Sequence, residues 1–389
     1  MHVSDFSRLI YPANDREFQV LNRHLNVRFP MSDRLLPDIN KILIIRNDGI
    51  GDLLNSTPAI ALLRENYPDA EICVLAQPLN APVLTGNPHV NRVLIFDREG
   101  IHRGLQDRLR FYRSLHREAF DLAIAMRTAS WANFATLLSG ARYRLGRYHK
   151  SFKHTLTHRW EGKYEKGHVH EVDRNLELIR LTCMGEGNRQ LVFNVLDDEA
   201  SFAKEQLVDW GVNPGDFLVC LHPGGSSFDK QWPSENYARL ADWLADEYNA
   251  KILILRGPNE AHLTRNIRKI MTQPSIAHAP ESIRNLAALM KHCNLVICND
   301  SGPMHIAAAL NVPMVAIFGP TDHIAWKPLG EGATIVRRDM PCWPCSAHKC
   351  KIGWECTKKL PVDLVWSEIV RKVSGHSSTS AEKIGATVG

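Results

Sequence analysis

From about residue 40 the chain alternates short apolar runs with amphipathic stretches: KILIIR, TPAIALLRENY, EICVLA, VNRVLIF, a basic RGLQDRLRFYRSLHRE and then FDLAIAM. Strand-like runs alternating with helix-like ones predict a mostly parallel sheet covered by helices. The pattern restarts after residue 215 with DFLVCLHPGG, WPSENYARLADWLADEY, AKILILRGPNE, NLAALMKHCNLVICND, PMHIAAALN and VPMVAIFGPTD. The same α/β architecture is therefore expected twice, in tandem. Between the halves, VHEVDRNLELIRLTCMGEG places its apolar residues on one helical face and leaves through glycines, so the join should fall near 190–215.

The expected organisation is an extension over 1–38, a first Rossmann-like domain over 39–200, a second over 201–373, and a small, polar, disordered tail over 374–389. At 389 residues and 44% hydrophobic, the chain can bury two cores. Two doubly wound domains facing one another leave a cleft at the carboxyl ends of their strands, and function is to be sought in the turns there.

Charge and cysteines refine this picture. No apolar run approaches the roughly 18 residues of a membrane span, and the first thirty residues hold no uninterrupted signal-peptide core, so a cytoplasmic protein is expected. Cys73, Cys183, Cys220, Cys293 and Cys298 sit in or beside apolar segments and read as small core residues. Net charge is only +5, but Arg142, Arg144, Arg147, Lys150, Lys153, Arg159, Lys163 and Lys166 crowd one segment against Glu161 and Glu165. Such a face favours an anionic substrate or a membrane surface, the alternative being an ordinary solvated run. Nucleic acid is not an expected partner.

Four turns carry candidate chemistry. RNDGIGDLLNSTPAI follows the first strand: Gly49 and Gly51 permit a close approach, Thr57 is expected to cap a helix whose first position is Pro58, and Asp48 and Asp52 are both candidates for a general base or for capping the turn. Leu54 stands where a dinucleotide fingerprint needs Gly or Ala, which disfavours a nicotinamide enzyme. HPGGSSFDKQWP offers the amides of Gly224 and Gly225, the hydroxyls of Ser226 and Ser227 and the charge of Lys230 to a phosphate. CNDSGPMHIAAAL ends a strand in Asp300 and opens a helix whose first amides, with Ser301 and Gly302, suit a pyrophosphate; His305 is either a donor to it or a packing residue. In RGPNE, Glu260 is an acceptor for sugar hydroxyls or the first acid of a helix.

These turns, in this order and together with HVHEVDRNLELI and FGPTD, resemble the heptosyltransferases of glycosyltransferase family 9 over roughly residues 40–370. The resemblance implies a GT-B fold, with the acceptor in the first Rossmann-like domain and the nucleotide-sugar donor in the second. It implies inverting transfer of heptose from ADP-L-glycero-D-manno-heptose to the inner core of lipopolysaccharide, with Asp52 as base and Asp48 as a turn residue. Donor contacts carry over to Ser226, Ser227, Lys230, Glu260, Asp300, Ser301, Gly302 and His305. The extra glycine in HPGGSS leaves two registers, one residue apart, for pairing Gly225 and Ser226 with the family's hydroxyl positions. Gly51, Arg142, Arg144, Arg147 and Lys150 fall on the acceptor side, where carboxylates and lipid A phosphates at the inner membrane would meet a cationic rim.

An inverting transfer needs a base on the acceptor hydroxyl and positive charge on the departing diphosphate. The chain has no Asp-x-Asp triplet, so no cofactor is expected for catalysis. Cys342, Cys345, Cys350 and Cys356 form a separate group that would hold a structural zinc or iron ion, remain free thiols or form a conditional disulfide. Rival readings are the same fold acting on a protein or another glycan, and a non-catalytic nucleotide-sugar-binding protein.

Overall fold

The computed structural model describes residues 35–127, 130–148, 153–162, 167–343, 345 and 350–385. In the first half the apolar runs become β1 (Lys41–Ile45), β2 (Glu71–Ala76), β3 (Arg92–Ile95), β4 (Leu122–Ala125), β5 (Tyr143–Arg147) and β6 (His158–Trp160). The second half gives β7 (Leu218–His222), β8 (Lys251–Leu255), β9 (Ile276–His278), β10 (Leu295–Asn299), β11 (Met314–Phe318) and β12 (Ala333–Arg337). First-half helices are α1 (Ile50–Leu54), α2 (Thr57–Asn66), α3 (Leu105–Arg117), α4 (Ser130–Leu138) and α5 (Glu171–Ile179). They are followed by α6 (Asp197–Asp209), α7 (Ser234–Tyr248), α8 (Ala261–Ile270), α9 (Ile283–Lys291), α10 (Gly302–Ala309), α11 (His323–Trp326), α12 (Glu355–Lys358) and α13 (Val362–Gly385).

The two sheets run β3-β2-β1-β4-β5-β6 and β12-β11-β10-β7-β8-β9, and their pairings are parallel. Central strands are buried on both faces, as Ile42 to Ile45 and Leu218 to His222 illustrate, which is why their sequences are continuous apolar runs. Strand order reverses between β1 and β4 and again between β7 and β10. In a doubly wound sheet the crevice opens at that reversal. The turn after β1, the turn after β7 and the turn after β10 are the three strongest motif turns of the sequence.

Three apolar clusters hold the fold. One lies under α3 and α4 on the outer face of the first sheet, around Phe96, Leu115 and Phe120; another lies under α7 and α13 on the second, around Trp232, Tyr237 and Ile369. The third is continuous across the halves, joining Leu54, Leu63 and Ile179 to Leu207, Leu286 and Met304. Helix α6 packs on α9, and α1 packs on α10. At the joint the buried Arg284 of α9 grips Glu199 through Nε at 2.7 Å and Nη2 at 2.5 Å, and donates to the carbonyl of Asn194 at 2.7 Å and that of Pro82 at 3.2 Å.

Three details differ from the sequence expectations. Helix α6 crosses the boundary drawn at 200 and packs with the second half through Ala203 and Leu207. Ser56, not Thr57, is the cap of α2; Thr57 occupies the first turn and donates its hydroxyl to the carbonyl of Leu54 at 2.7 Å. Helix α13 continues to Gly385 where a disordered tail was expected from 374. Once Val365 and Ile369 anchor the helix in the core, adding polar residues to an existing helix needs no new nucleation.

Candidate active site

Arg46 is the residue immediately after β1 and is 1% exposed. A guanidinium carried into the interior must be paired on all its donors. Its Nη2 donates to Asp52 Oδ1 at 3.1 Å and to Glu171 Oε1 at 3.0 Å, its Nη1 to the carbonyl of Met126 at 2.7 Å, and its Nε lies 3.2 Å from Asp48 Oδ1. Glu171, the first residue of α5, is itself buried and faces Arg147 and Arg174 at 3.6 Å each. Arginines and carboxylates thus line an open cavity of about 580 Å³ that Trp326 of the second half also borders.

Asp52 sits in α1 with its second carboxylate oxygen accepting from the amide of Gly49 at 3.2 Å, which closes the turn. Its side chain is 29% exposed, the most open of the three carboxylates around Arg46. Burial raises its proton affinity above the ordinary aspartate range, against the opposing pull of Arg46. Asp48 is pushed up to about 6, by burial first, with Arg46 opposing. Glu171 goes the other way: burial would raise it, but Arg46 and Arg147 together hold it below its usual range. Arg46 and Arg147 therefore keep Glu171 ionised, while burial leaves Asp52 a stronger base than a free aspartate. Asp48 lies in the bend between β1 and α1, and its ion-paired, mostly buried carboxylate faces the same cavity.

In the second half, Lys230 Nζ donates to Asp300 Oδ2 at 2.7 Å, bringing the turns after β7 and β10 together. Glu260 accepts from the amides of Gly225 at 3.1 Å and Gly257 at 2.7 Å, so its carboxylate fastens the second turn to the fourth. A Cβ on Gly224 would lie 2.1 Å from those carboxylate oxygens, which is what the glycine is for. The Gly225 amide is spent on Glu260 instead of facing the cleft. Ser226 is exposed and Ser227 half-buried on the same turn, and Ser301 caps α10.

Asn299, at the end of β10, went unremarked in the sequence. Fully buried, it donates to the carbonyls of Pro223 and Gly224 and accepts from the Trp232 amide and the Tyr237 hydroxyl. It is the internal brace of the Lys230 turn. The signal available was a polar residue closing an apolar strand, the same signal Arg46 gives at the end of β1.

His305 and Gly51 connect the two halves. A Cβ on Gly51 would lie 2.4 Å from His305 Cδ2, so this glycine makes room for the histidine ring of the opposite domain and not for a ligand. Gly302 meets Ile50 in the same contact, its Cβ position 3.0 Å away. His305 is buried, with its imidazole pushed down to about 4 by burial, and is therefore neutral; Asp300, His170 and Lys230 are the charged or titratable groups it senses. The residue before the Asp52 carboxylate thus touches the helix that begins beside Asp300.

Among its described residues, the basic stretch of the sequence turns partly inward. Arg144 Nε donates to the carbonyl of Thr155 at 2.6 Å and Nη1 to that of Ala141 at 2.8 Å, while Arg147 is buried against Asn175 and Glu171. Arg142 rests over the Tyr143 ring, and Lys150 lies outside the described residues. Of the three acceptor-side cations among the described residues, Arg147 is the one that lines the cavity. Arg127 and Arg174, which the sequence reading passed over, line it as well.

Cys342, Cys345, Cys350 and Cys356 line a separate cavity of about 20 Å³, room for one water-sized guest. Among the described residues no group of three or more ligating side chains is assembled for a metal ion. Thr357, next to Cys356, donates to the carbonyl of Asp229 at 2.7 Å and so ties this segment to the Lys230 turn.

Comparison with known proteins places this geometry. A family model described as glycosyltransferase family 9 (heptosyltransferase) matches residues 108–354. Lipopolysaccharide heptosyltransferase 3 of Escherichia coli K12 is 27% identical over 295 residues, covering 72% of this chain and 83% of that protein. Among solved structures, E. coli ADP-heptose LPS heptosyltransferase II superposes with a TM-score of 0.71 at 22% identity, over 87% of this chain and 99% of that one. E. coli heptosyltransferase WaaC with ADP-2-deoxy-2-fluoro heptose gives 0.63 at 18% identity, over 85% and 99%.

Proposed function

The chain belongs to glycosyltransferase family 9, and from that premise we propose that it transfers heptose from ADP-L-glycero-D-manno-heptose to the inner core of lipopolysaccharide with inversion, Asp52 acting as general base. The observation that carries this reading is the Asp52 carboxylate itself, held by Arg46 and the Gly49 amide at the mouth of an arginine-lined cavity, with its proton affinity raised by burial. The names of the relatives support heptose as the sugar and lipopolysaccharide as the acceptor.

In this scheme Asp52 takes the proton from the acceptor hydroxyl as its oxygen bonds to the anomeric carbon. The bond from that carbon to the β-phosphate oxygen breaks on the opposite face, and its electron pair leaves with ADP. Lys230 and the amides at the start of α10 meet the charge on the diphosphate. Arg127, Arg147 and Arg174 suit the carboxylates of an inner-core acceptor. Incubation with ADP-heptose and lipopolysaccharides truncated at defined core positions should release ADP and add one heptose to the acceptor mass. Transfer only to a protein or to an unrelated glycan would replace the acceptor in this scheme, and no transfer at all would overturn it.

The four-cysteine segment is proposed as a structural zinc or iron knuckle, since its thiols share one small cavity and its last turn braces the Lys230 loop. Elemental analysis of the purified protein should find about one equivalent of metal. Chelation should lower thermal stability together with metal content, and metal-free protein of unchanged stability would discard the idea.

A further inference from the structure

Away from the cavity, exposed positive charge of the first half gathers on α3 and the turn before it. This helix buries Leu115 and packs Phe111 against Phe96, with ring centroids 4.7 Å apart. Its outer side is unusual. Leu105 and Leu109, one helical turn apart, are 53% and 39% exposed, and Ile101 in the turn before them is 70% exposed. Arg103, Arg110, Arg113 and Arg117 stand exposed around them. The acids nearby are Asp97, Glu99, Asp107 and Glu118; Asp97 accepts from the amides of Gly100 and Ile101, Asp107 is engaged with Arg110 at 2.9 Å and Glu118 with Lys41 and Arg92, whereas Arg103, Arg113 and Arg117 form no ion pair among the described residues.

Aliphatic tips framed by arginines match the boundary between acyl chains and anionic headgroups, where long cationic side chains reach the phosphates while apolar ones enter the hydrocarbon edge. The ridge has no exposed aromatic platform on which a nucleic-acid base would stack. Its location matters equally. Helix α3 follows β3, and the carbonyl of Phe96 just beyond that strand accepts from Asn47 Nδ2 at 3.3 Å. Asn47 is next to Asp48, so the Ile101–Leu105 end of the ridge lies along the same sheet edge as the turn that holds Asp52.

We propose that the outer ridge of α3, Ile101, Leu105 and Leu109 with Arg103, Arg110, Arg113 and Arg117, docks the protein on an anionic lipid bilayer. The docking presents the cleft edge to an acceptor anchored in that bilayer, and this last step rests on the proposed lipopolysaccharide acceptor. Among the described residues no helix is long and apolar enough to cross a membrane. The contact is therefore peripheral and reversible.

Sedimentation of the full-length protein with vesicles tests it. Binding is expected to vesicles containing phosphatidylglycerol, to weaken with salt, and to be lost on pure phosphatidylcholine. Joint replacement Ile101→Ser, Leu105→Ser and Leu109→Ser should weaken binding by about tenfold or more, and Arg113→Ser with Arg117→Ser by roughly fivefold per arginine. Both variants change only exposed side chains, so their circular dichroism and their activity on a deacylated, water-soluble acceptor should match the parent. Equal binding to both vesicle types, no binding, or undiminished binding by the triple-serine variant would overturn the proposal. So would a concentration-dependent dimer that the triple-serine variant abolishes, which would assign the ridge to a second copy of the chain. Vesicle binding through α3 without any transfer to core lipopolysaccharide would keep this surface and discard the acceptor.

Discussion

Replacing Asp52 with Asn should lower kcat by about 10²–10⁴-fold, the usual contribution of a positioned general base, while leaving ADP binding to the second domain unchanged. The amide keeps the size of the carboxylate and can still accept from the Gly49 amide, so the α1 turn survives. It cannot take a proton from the acceptor. The pH profile is the sharper readout. A base works only when deprotonated, so the parent's kcat/KM should fall as pH drops through the pKa of Asp52, which burial raises above the ordinary aspartate range. The acid limb should therefore lie at higher pH than a solvent-exposed aspartate would give, and Asp52→Asn should lack it. Activity within about tenfold of the parent, or an acid limb that persists in the variant, would remove Asp52 from this role.

Much of this site was legible in the sequence because its parts are local. Alternating apolar runs disclosed both sheets, and each motif turn follows directly from the strand that aims it. Residues that work through distant partners were not legible. Arg46 and Glu171 are 125 positions apart, and nothing in KILIIR or in HVHEVDRN announces that one charge exists to meet the other. Asp48 and Asp52 could be told apart by resemblance, but not their electrostatics, which depend on an arginine between them and on burial. Gly51 was legible as a close approach without revealing what approaches, namely the His305 ring from the other half. Charge density misled for a related reason. The 142–166 segment holds more cations than α3, yet Arg144 and Arg147 turn inward to carbonyls and to Glu171, while Arg110, Arg113 and Arg117 of α3 stay outside.

Arg46→Met should destabilise the protein by about 3–5 kcal/mol, because it removes the one cation common to three carboxylates and leaves them buried. Methionine fills a similar volume without branching, so lost packing contributes little. The pH dependence separates this mechanism from a simple cavity. An acid whose folded pKa lies above its unfolded value makes the folded state the better proton binder, so stability falls as pH rises from the unfolded to the folded pKa. Asp48 already behaves this way in the parent, with a folded value of about 6. Arg46 is the cation that lowers the proton affinity of Asp48, Asp52 and Glu171 alike, so without it all three rise. Glu171 keeps Arg147 and Arg174 but loses the largest of the charges that hold it down, so the stability it contributes at higher pH shrinks. Urea denaturation of parent and variant at about pH 5 and about pH 8 should accordingly show the larger deficit at the higher pH, where the carboxylates must ionise without their shared cation. An equal deficit at both values would mean that Arg46 acts by filling space, and no deficit would mean that the three carboxylates do not depend on it.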